Sequence, residues 1–303
     1  MGGCVVAECL EKRYEDGQWG ARCVTFRAPR GGVTVLLGPN GAGKTTTVGM
    51  LATLLRPTGG RGIVAGFDVV GEAWEVRRRV AVMPQEARVD PNWTPWEAVK
   101  WYLVARGLPR VEAERRAREA LQALGLWGVR GRPGWVLSGG QRRKTVVAMV
   151  LYSGAEVVFL DEPTAGLDVE SRYVVLEQVR EKARGHGCVV VTTHDMREAE
   201  MLASHVVLMH RGRVVAEGAP GELRGRLPYS WRVVARGARS APPAAASLRI
   251  GSTLILYAES RGEALGLASE VDADSVTVEP VGFEDVYLYH VHIGGGEGGR
   301  GDA

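Results

Sequence analysis

No stretch of this 303-residue sequence comes near the roughly 18 consecutive apolar residues that a membrane-spanning helix needs. The longest apolar runs, such as Val33–Leu37 and 157–160, have the length of buried strands. The opening MGGCVVAECLEKRYEDG meets an acid at Glu8 before a secretory core can form. These two lacks lead to the expectation of a chain that does not cross a membrane by itself. Cysteine is scarce as well. Cys4, Cys9, Cys23 and Cys188 form no CxxC pair and are too few for a disulfide scaffold in a chain this long, which favours a reducing cytosol. Lysine accounts for only 5 of the 38 basic residues, leaving 33 arginines. A formal net charge of only +3 and the want of a strongly basic block argue against nucleic acid as a partner. The arginine excess reads as a GC-rich genome or a hot habitat rather than as a binding surface. The short basic runs at 77–79 and 142–144 read as solvated faces. Internal repeats and sustained heptads are also missing.

The composition that remains is that of a globular protein, with 45% hydrophobic and 24% charged residues. The length suggests two domains, the first the larger. Residues 4–9 and 22–27 read as strands, and 33–37 as a strand buried on both faces. A helix is expected over 44–55, stopped by Pro57 and Gly59-Gly60. A strand at 80–83 ends at Pro84. Two helices follow within 94–127, broken at 107–109, the second amphipathic and charged on one face. Strands at 157–160, 188–192 and 206–209 alternate with helices at 169–184 and 195–203. That alternation predicts a mainly parallel sheet with ligands at the carboxyl ends of its strands. Gly, Pro and Arg accumulate near 218–227, which places a boundary close to residue 225. The domains are then 1–224 and 225–292, with a disordered tail at 293–303. Within the second domain, 231–235, 248–258 and 275–279 read as strands, and 262–270 and 283–291 as helices.

Three motifs carry chemistry. Gly38-Pro39-Asn40-Gly41-Ala42-Gly43-Lys44-Thr45 fits GxxxxGK[ST] after a buried strand and before a helix, the context a P-loop requires. Its glycines turn backbone amides inward around phosphate oxygens, and the helix N-terminus adds its positive end. Lys44 reaches the β- and γ-phosphates, and the Thr45 hydroxyl, with Thr46 beside it, faces the nucleotide and Mg²⁺. The second motif is Val157-Val158-Phe159-Leu160-Asp161-Glu162. Its apolar run puts Asp161 at a strand end, able to hold the Mg²⁺ shell opposite Thr45, and Glu162 where it can polarise the attacking water. The third, Leu137-Ser138-Gly139-Gly140-Gln141, is another amide cradle at the start of a helix expected over 141–153. A chain with one P-loop needs no second cradle for its own nucleotide, so this one would complete the site of a second copy.

With these three motifs the chain resembles the nucleotide-binding subunits of ATP-binding cassette (ABC) transporters over about residues 4–222. The resemblance implies an α/β P-loop NTPase with a mainly parallel sheet, a helical subdomain at about 87–150 and a small α+β C-terminal domain. Carried over residue by residue, it makes Gln85 the Q-loop glutamine, which links the Mg²⁺ and water site to the helical subdomain and the membrane partner. Asp168 is then the D-loop aspartate at the dimer seam, and His194 the switch histidine facing the γ-phosphate. Tyr14 resembles the aromatic that stacks on adenine, surface packing being its other reading, with Trp19 a weaker candidate. Residues 222–290 resemble more loosely the C-terminal extension of drug- and lipid-exporting cassettes. Phe283-Glu284-Asp285-Val286-Tyr287-Leu288 matches a short helix of that extension or a plain docking helix.

The implied function is ATP hydrolysis at two composite sites of a dimer, with ATP and Mg²⁺ as cofactors. The second protomer is another copy or a related ABC subunit. Hydrolysis drives substrate movement, as export, through a separate transmembrane permease that holds the chain at the cytoplasmic face of the cell membrane. The helices at 94–127 are the expected docking surface, with Trp93 and Trp96 as candidate anchors. The other reading is a soluble ABC ATPase of cofactor assembly, translation or repair. The substrate is chosen by the permease and is not written in this chain.

Overall fold

The computed structural model describes residues 3–185 and 187–293. The expected tail at 293–303 lies, but for Ile293, outside the described residues. The chain divides into two compact units, the first ending at Glu217 and the second beginning at Gly218.

Two sheets build the first unit. One contains β1 (Val5–Arg13), β2 (Trp19–Ala28), β4 (Gly59–Val64) and β5 (Phe67–Asp68), in the order β2-β1-β4-β5. The other has six strands in the order β10-β9-β3-β8-β7-β6. Its members are β3 (Val33–Leu37), β6 (Val80–Met83), β7 (Val157–Asp161), β8 (Cys188–Thr193), β9 (His205–His210) and β10 (Arg213–Gly218). Pairings β9–β3, β3–β8, β8–β7 and β7–β6 are all parallel. Strands β3, β7 and β8 are buried at every residue, as parallel strands covered on both faces must be. Between the sheets lies α1 (Lys44–Leu51), whose Val48, Met50 and Leu51 join Leu10, Phe26, Phe159 and Val207 in one core.

The helices outside this core are set by capping and periodicity. Helix α2 (Ala73–Arg79) precedes β6. Helix α3 (Pro95–Ala105) starts on a Thr94–Glu97 capping box with proline at its first position. Helix α4 (Arg110–Ala123) buries Ala113, Ala117, Ala120 and Leu121 on one stripe and pairs Glu112 with Arg115 and Arg116 on the other. Those two guanidiniums hold the Glu112 carboxyl down at about 2. Helix α5 (Gly139–Leu151) packs against α3 and α4, and α6 (Val169–Arg184) and α7 (Met196–Leu202) follow β7 and β8.

The second unit is a four-stranded antiparallel sheet, ordered β12-β13-β11-β14. It comprises α8 (Pro220–Gly225), β11 (Trp231–Arg236), β12 (Ala246–Ile250), β13 (Thr253–Ala258), α9 (Arg261–Glu270), β14 (Ser275–Pro280) and α10 (Phe283–Leu288). Alternate residues of β13 point into two separate cores: Leu254 and Leu256 into one, Ile255 and Tyr257 into the other. Asp285, fully buried, is held by Arg232 Nη1 at 2.8 Å and the Tyr257 hydroxyl at 2.9 Å.

Several expectations need correction. The run 248–258 is not one strand but the hairpin β12–β13, turned at Gly251 with φ +57°. The helix expected over 44–55 ends at Leu51, and β4, β5, α2, β10 and α8 were not legible as elements. The division at 217/218 also falls earlier than residue 225, because α8 packs on α10. The four cysteines, expected to be too few for a disulfide scaffold and to point to a reducing cytosol, form two disulfides. Cys9–Cys23 joins β1 to β2 beside a register shift, and Cys4–Cys188 ties the start of β1 to the start of β8 across 184 residues. Spacing rules see CxxC pairs and cysteine-dense scaffolds, and neither pattern covers Cys9 and Cys23, which meet by strand pairing within one sheet, or Cys4 and Cys188, which meet by the packing of two sheets.

Candidate functional site

Three adjacent parallel strands end side by side. Gly38 follows β3, Asp161 closes β7, and His194 follows β8, so the chemistry collects at the carboxyl edge of the sheet. The P-loop turns through Gly41 (φ +78°) and Gly43 (φ +98°), the cap of α1. A Cβ on Gly43 would stand 2.3 Å from the Gly20 carbonyl oxygen, so both conformation and space demand glycine there. The same close approach brings the β1–β2 hairpin against the loop. Tyr14 therefore lands beside it, the residue 38% exposed and its hydroxyl 3.0 Å from Thr46 Oγ1. Trp19 instead lies between the Arg13 and Arg22 guanidiniums, each 5.7 Å from its ring.

Lys44 is buried and donates to the carbonyls of Gly38 (2.6 Å) and Pro39 (2.9 Å). Burial pushes its ammonium below the ordinary lysine value, while Glu162 and Asp161 pull it back up. Two carboxylates thus share a field with this lysine at the mouth of the loop. Asp161 is buried, and its Oδ1 accepts the Thr192 hydroxyl. Glu162, 8% exposed, has φ +47°, a conformation that costs a side-chain-bearing residue energy and is held by its surroundings. Its N–H donates to Thr192 Oγ1 at 3.0 Å. Its carboxylate lies between two of the predicted partners: Oε1 is 3.0 Å from His194 Nδ1, and Oε2 accepts from Gln85 Nε2 at 3.3 Å. Gln85, Glu162 and His194, read separately from sequence, meet here.

The donors fit a hard cation. The Thr45 hydroxyl, the Asp161 carboxylate and the Gln85 amide oxygen are oxygen ligands of the kind Mg²⁺ takes. No group of three or more His, Cys, Asp or Glu placed to hold a metal ion occurs among the described residues. Mg²⁺ commonly keeps several waters and takes substrate phosphates as ligands beside one or two protein groups.

Ser138 caps α5, its Oγ accepting from Gln141 N at 3.2 Å while Gln141 Oε1 accepts from Ser138 N at 3.1 Å. A Cβ at Gly139 would meet nothing within 4 Å, so the cradle is open outward. No described hydrogen bond joins 138–141 to the P-loop. Asp168 caps α6, accepting from Ser171 N at 2.8 Å, and that bond leads in holding its carboxyl below the usual range.

Two residues of this site escaped the sequence reading. Thr192 orients both acids, and its signal was a hydroxyl at the end of the apolar run 188–191. Arg143 lies in the basic run 142–144, which reads as a solvated face, but it is half-buried. It bonds the main chain of Gln85 at 2.6 Å and of Glu162 at 2.5 Å. Its signal was helical phase, because Val147, one turn on, is buried.

The family model for ABC transporters matches residues 21–165. The daunorubicin/doxorubicin resistance ATP-binding protein DrrA of Streptomyces peucetius is 43% identical over 202 residues, 67% of this chain and 61% of that protein. Against that relative, the chain spans 61% of its length. The Nod factor export ATP-binding protein I of Ralstonia nicotianae is 37% identical over 216 residues, 71% of this chain and 67% of that protein. Among solved structures, cbiO1 of Clostridium perfringens, part of the ABC transporter complex cbiONQ, is 27% identical with a TM-score of 0.66. The match covers 75% of this chain and 92% of that one. With the P-loop, the Asp161-Glu162 strand end and the Ser138 cradle in this arrangement, the chain belongs to the ABC transporter family, among its ATP-binding subunits.

Proposed function

We propose that this chain hydrolyses ATP at two composite sites of a dimer and so drives export through a separate transmembrane permease. The observation that carries the reading is the convergence of Gln85, Glu162 and His194 beside Lys44. The P-loop amides and Lys44 hold the phosphates, Thr46 flanks them, and Tyr14 stacks on adenine. Thr45, Asp161 and Gln85 would hold Mg²⁺, which when bound would offset the negative charge of the phosphates. Glu162 accepts the proton as water oxygen bonds to the γ-phosphorus. The bond from phosphorus to the β–γ bridging oxygen then breaks, leaving ADP and phosphate. His194 fixes the carboxylate and faces the γ-phosphate. Ser138, Gly139, Gly140 and Gln141 of one protomer complete the site of the other, with Asp168 at the seam.

Export is supported by the names of the two relatives, one of resistance and one of Nod factor export. Neither name supports the reading as a soluble ATPase of assembly, translation or repair. No described helix is long and apolar enough to cross a membrane, which suits a peripheral subunit carried at the cytoplasmic face by its permease. Trp93, 42% exposed at the approach to α3, suits a docking anchor, whereas Trp96 packs edge-on against Trp127 at 6.1 Å.

Glu162→Gln tests the core of the proposal. It keeps the shape and one acceptor oxygen but not the base. ATP binding should persist, turnover should fall about 10²–10⁴-fold, and an ATP-bound dimer should accumulate on size exclusion. Wild-type turnover would remove Glu162 from the mechanism.

A further inference from the structure

We propose that Arg143 is a positioning residue for hydrolysis, fixing the backbone that aims Glu162 and carrying the placement of the signature helix to it. The inference rests on the reading of Glu162 as the base. Four main-chain carbonyls converge on this one guanidinium. Nη1 donates to Gln85 O at 2.6 Å, Nη2 to Asp161 O at 3.1 Å and Glu162 O at 2.5 Å, and Nε to Pro163 O at 3.4 Å.

The need for such a clamp follows from the sheet. Strand β6 pairs with β7 as far as Met83 and Leu160, then leaves at Pro84. On the other side β8 still pairs at Asp161 with Thr192. From residue 161 onward the β6 side of the chain has lost its ladder, just where Glu162 takes its left-handed backbone. Unmade bonds to buried carbonyls are expensive, and a non-glycine residue at positive φ persists only where neighbours hold it. Thr192 holds the Glu162 N–H and Arg143 holds its C=O. Only arginine offers a planar fork of five donors; lysine offers three from a single point.

Placement gives the clamp its second role. Arg143 stands on α5 five residues after Ser138, whose cradle serves the partner's nucleotide in the proposed dimer. The helix that carries the signature therefore also bonds the Q-loop and the base through one side chain.

The test uses the purified full chain with Arg143→Met, Arg143→Lys and Glu162→Gln beside wild type. It measures the Kd of a fluorescent ATP analogue, kcat and KM, and the thermal midpoint. Arg143→Met should lower kcat by about 10–100-fold, the scale of a roughly 1 Å misplacement, with Kd and KM within about twofold of wild type. Arg143→Lys, which keeps charge and stem, should fold as wild type and still lose about tenfold or more in kcat, because a point donor cannot span four carbonyls. Wild-type kcat in either variant beside a slow Glu162→Gln overturns the role of Arg143 alone. If Glu162→Gln is itself unimpaired, the reading of the base fails first. Loss of nucleotide binding along with kcat in Arg143→Lys would make the residue merely structural and overturn the proposal.

Discussion

At the scale of single residues, the site depends on side chains that aim other side chains. Thr192 is the plainest case, since its hydroxyl donates to Asp161 Oδ1 and accepts from the Glu162 N–H. Thr192→Val is close to isosteric, so it removes these bonds without opening a cavity. The variant should lose about 1–3 kcal/mol of stability in guanidinium unfolding, the cost of stranding a buried polar partner. It should also need more Mg²⁺ for half-maximal ATPase, because Asp161 is no longer held in one rotamer. Thr192→Ser, which keeps the hydroxyl, should recover most of both. An unchanged unfolding midpoint for Thr192→Val would show that the hydroxyl bonds contribute nothing. Such a residue is hard to read in a sequence because threonine is common in strands, and only the register of β7 against β8 turns this one towards two acids.

At the scale of elements, α5 does two jobs with one serine. Ser138 is the helix cap in this chain and the phosphate cradle for the partner in the proposed dimer, and the two roles separate by substitution. Ser138→Ala removes the cap and should cost about 1 kcal/mol in denaturant unfolding. Ser138→Asp keeps a good cap, so its stability should match wild type, yet it sets a carboxylate against phosphate. Its dimer-dependent ATPase should fall by about 10²-fold while the monomer still binds nucleotide. Full ATPase activity in Ser138→Asp would mean that the cradle faces no phosphate, and the composite site would have to be given up. The elements themselves were legible where an apolar period ran unbroken, as in β3, β7, β8 and the helices α3, α4 and α6. Legibility failed where turns cut short runs. Gly251 splits 248–258 into a hairpin, β4 is too glycine-rich to show a period, and β5 has only two residues.

At the scale of the whole molecule, two features are open to test. The first is the division at 217/218. A chain ending at Gly218, the last residue of β10, keeps every motif and both sheets of the first unit. It should stay folded and bind ATP with unchanged affinity. An insoluble product, or one that cannot bind ATP, would show that the second unit is needed to fold the first. The second is the pair of disulfides. Protein denatured without reductant should titrate no free thiol, since all four cysteines are paired. Reduction should lower stability by as much as about 5 kcal/mol, the chain-entropy value for the long loop closed by Cys4–Cys188. Four reactive thiols in the unreduced protein would contradict the pairing.

By itself the sequence determined which chemistry is available. The P-loop, the Asp161-Glu162 strand end and the Ser138 cradle are local patterns, each formed by residues next to one another on a strand, loop or helix cap. Local geometry imposes such patterns, so they can be read in order along the chain. What joins residues far apart was decided only by the tertiary structure. Gln85 and Glu162 stand 77 residues apart and Glu162 and His194 are separated by 32, and their meeting depends on β6, β7 and β8 lying side by side. The hold of Arg143 on three successive carbonyls depends on where β6 leaves the sheet. The Cys4–Cys188 link depends on one sheet packing over the other. None of these contacts has a period or a spacing, because each is set by how finished elements pack.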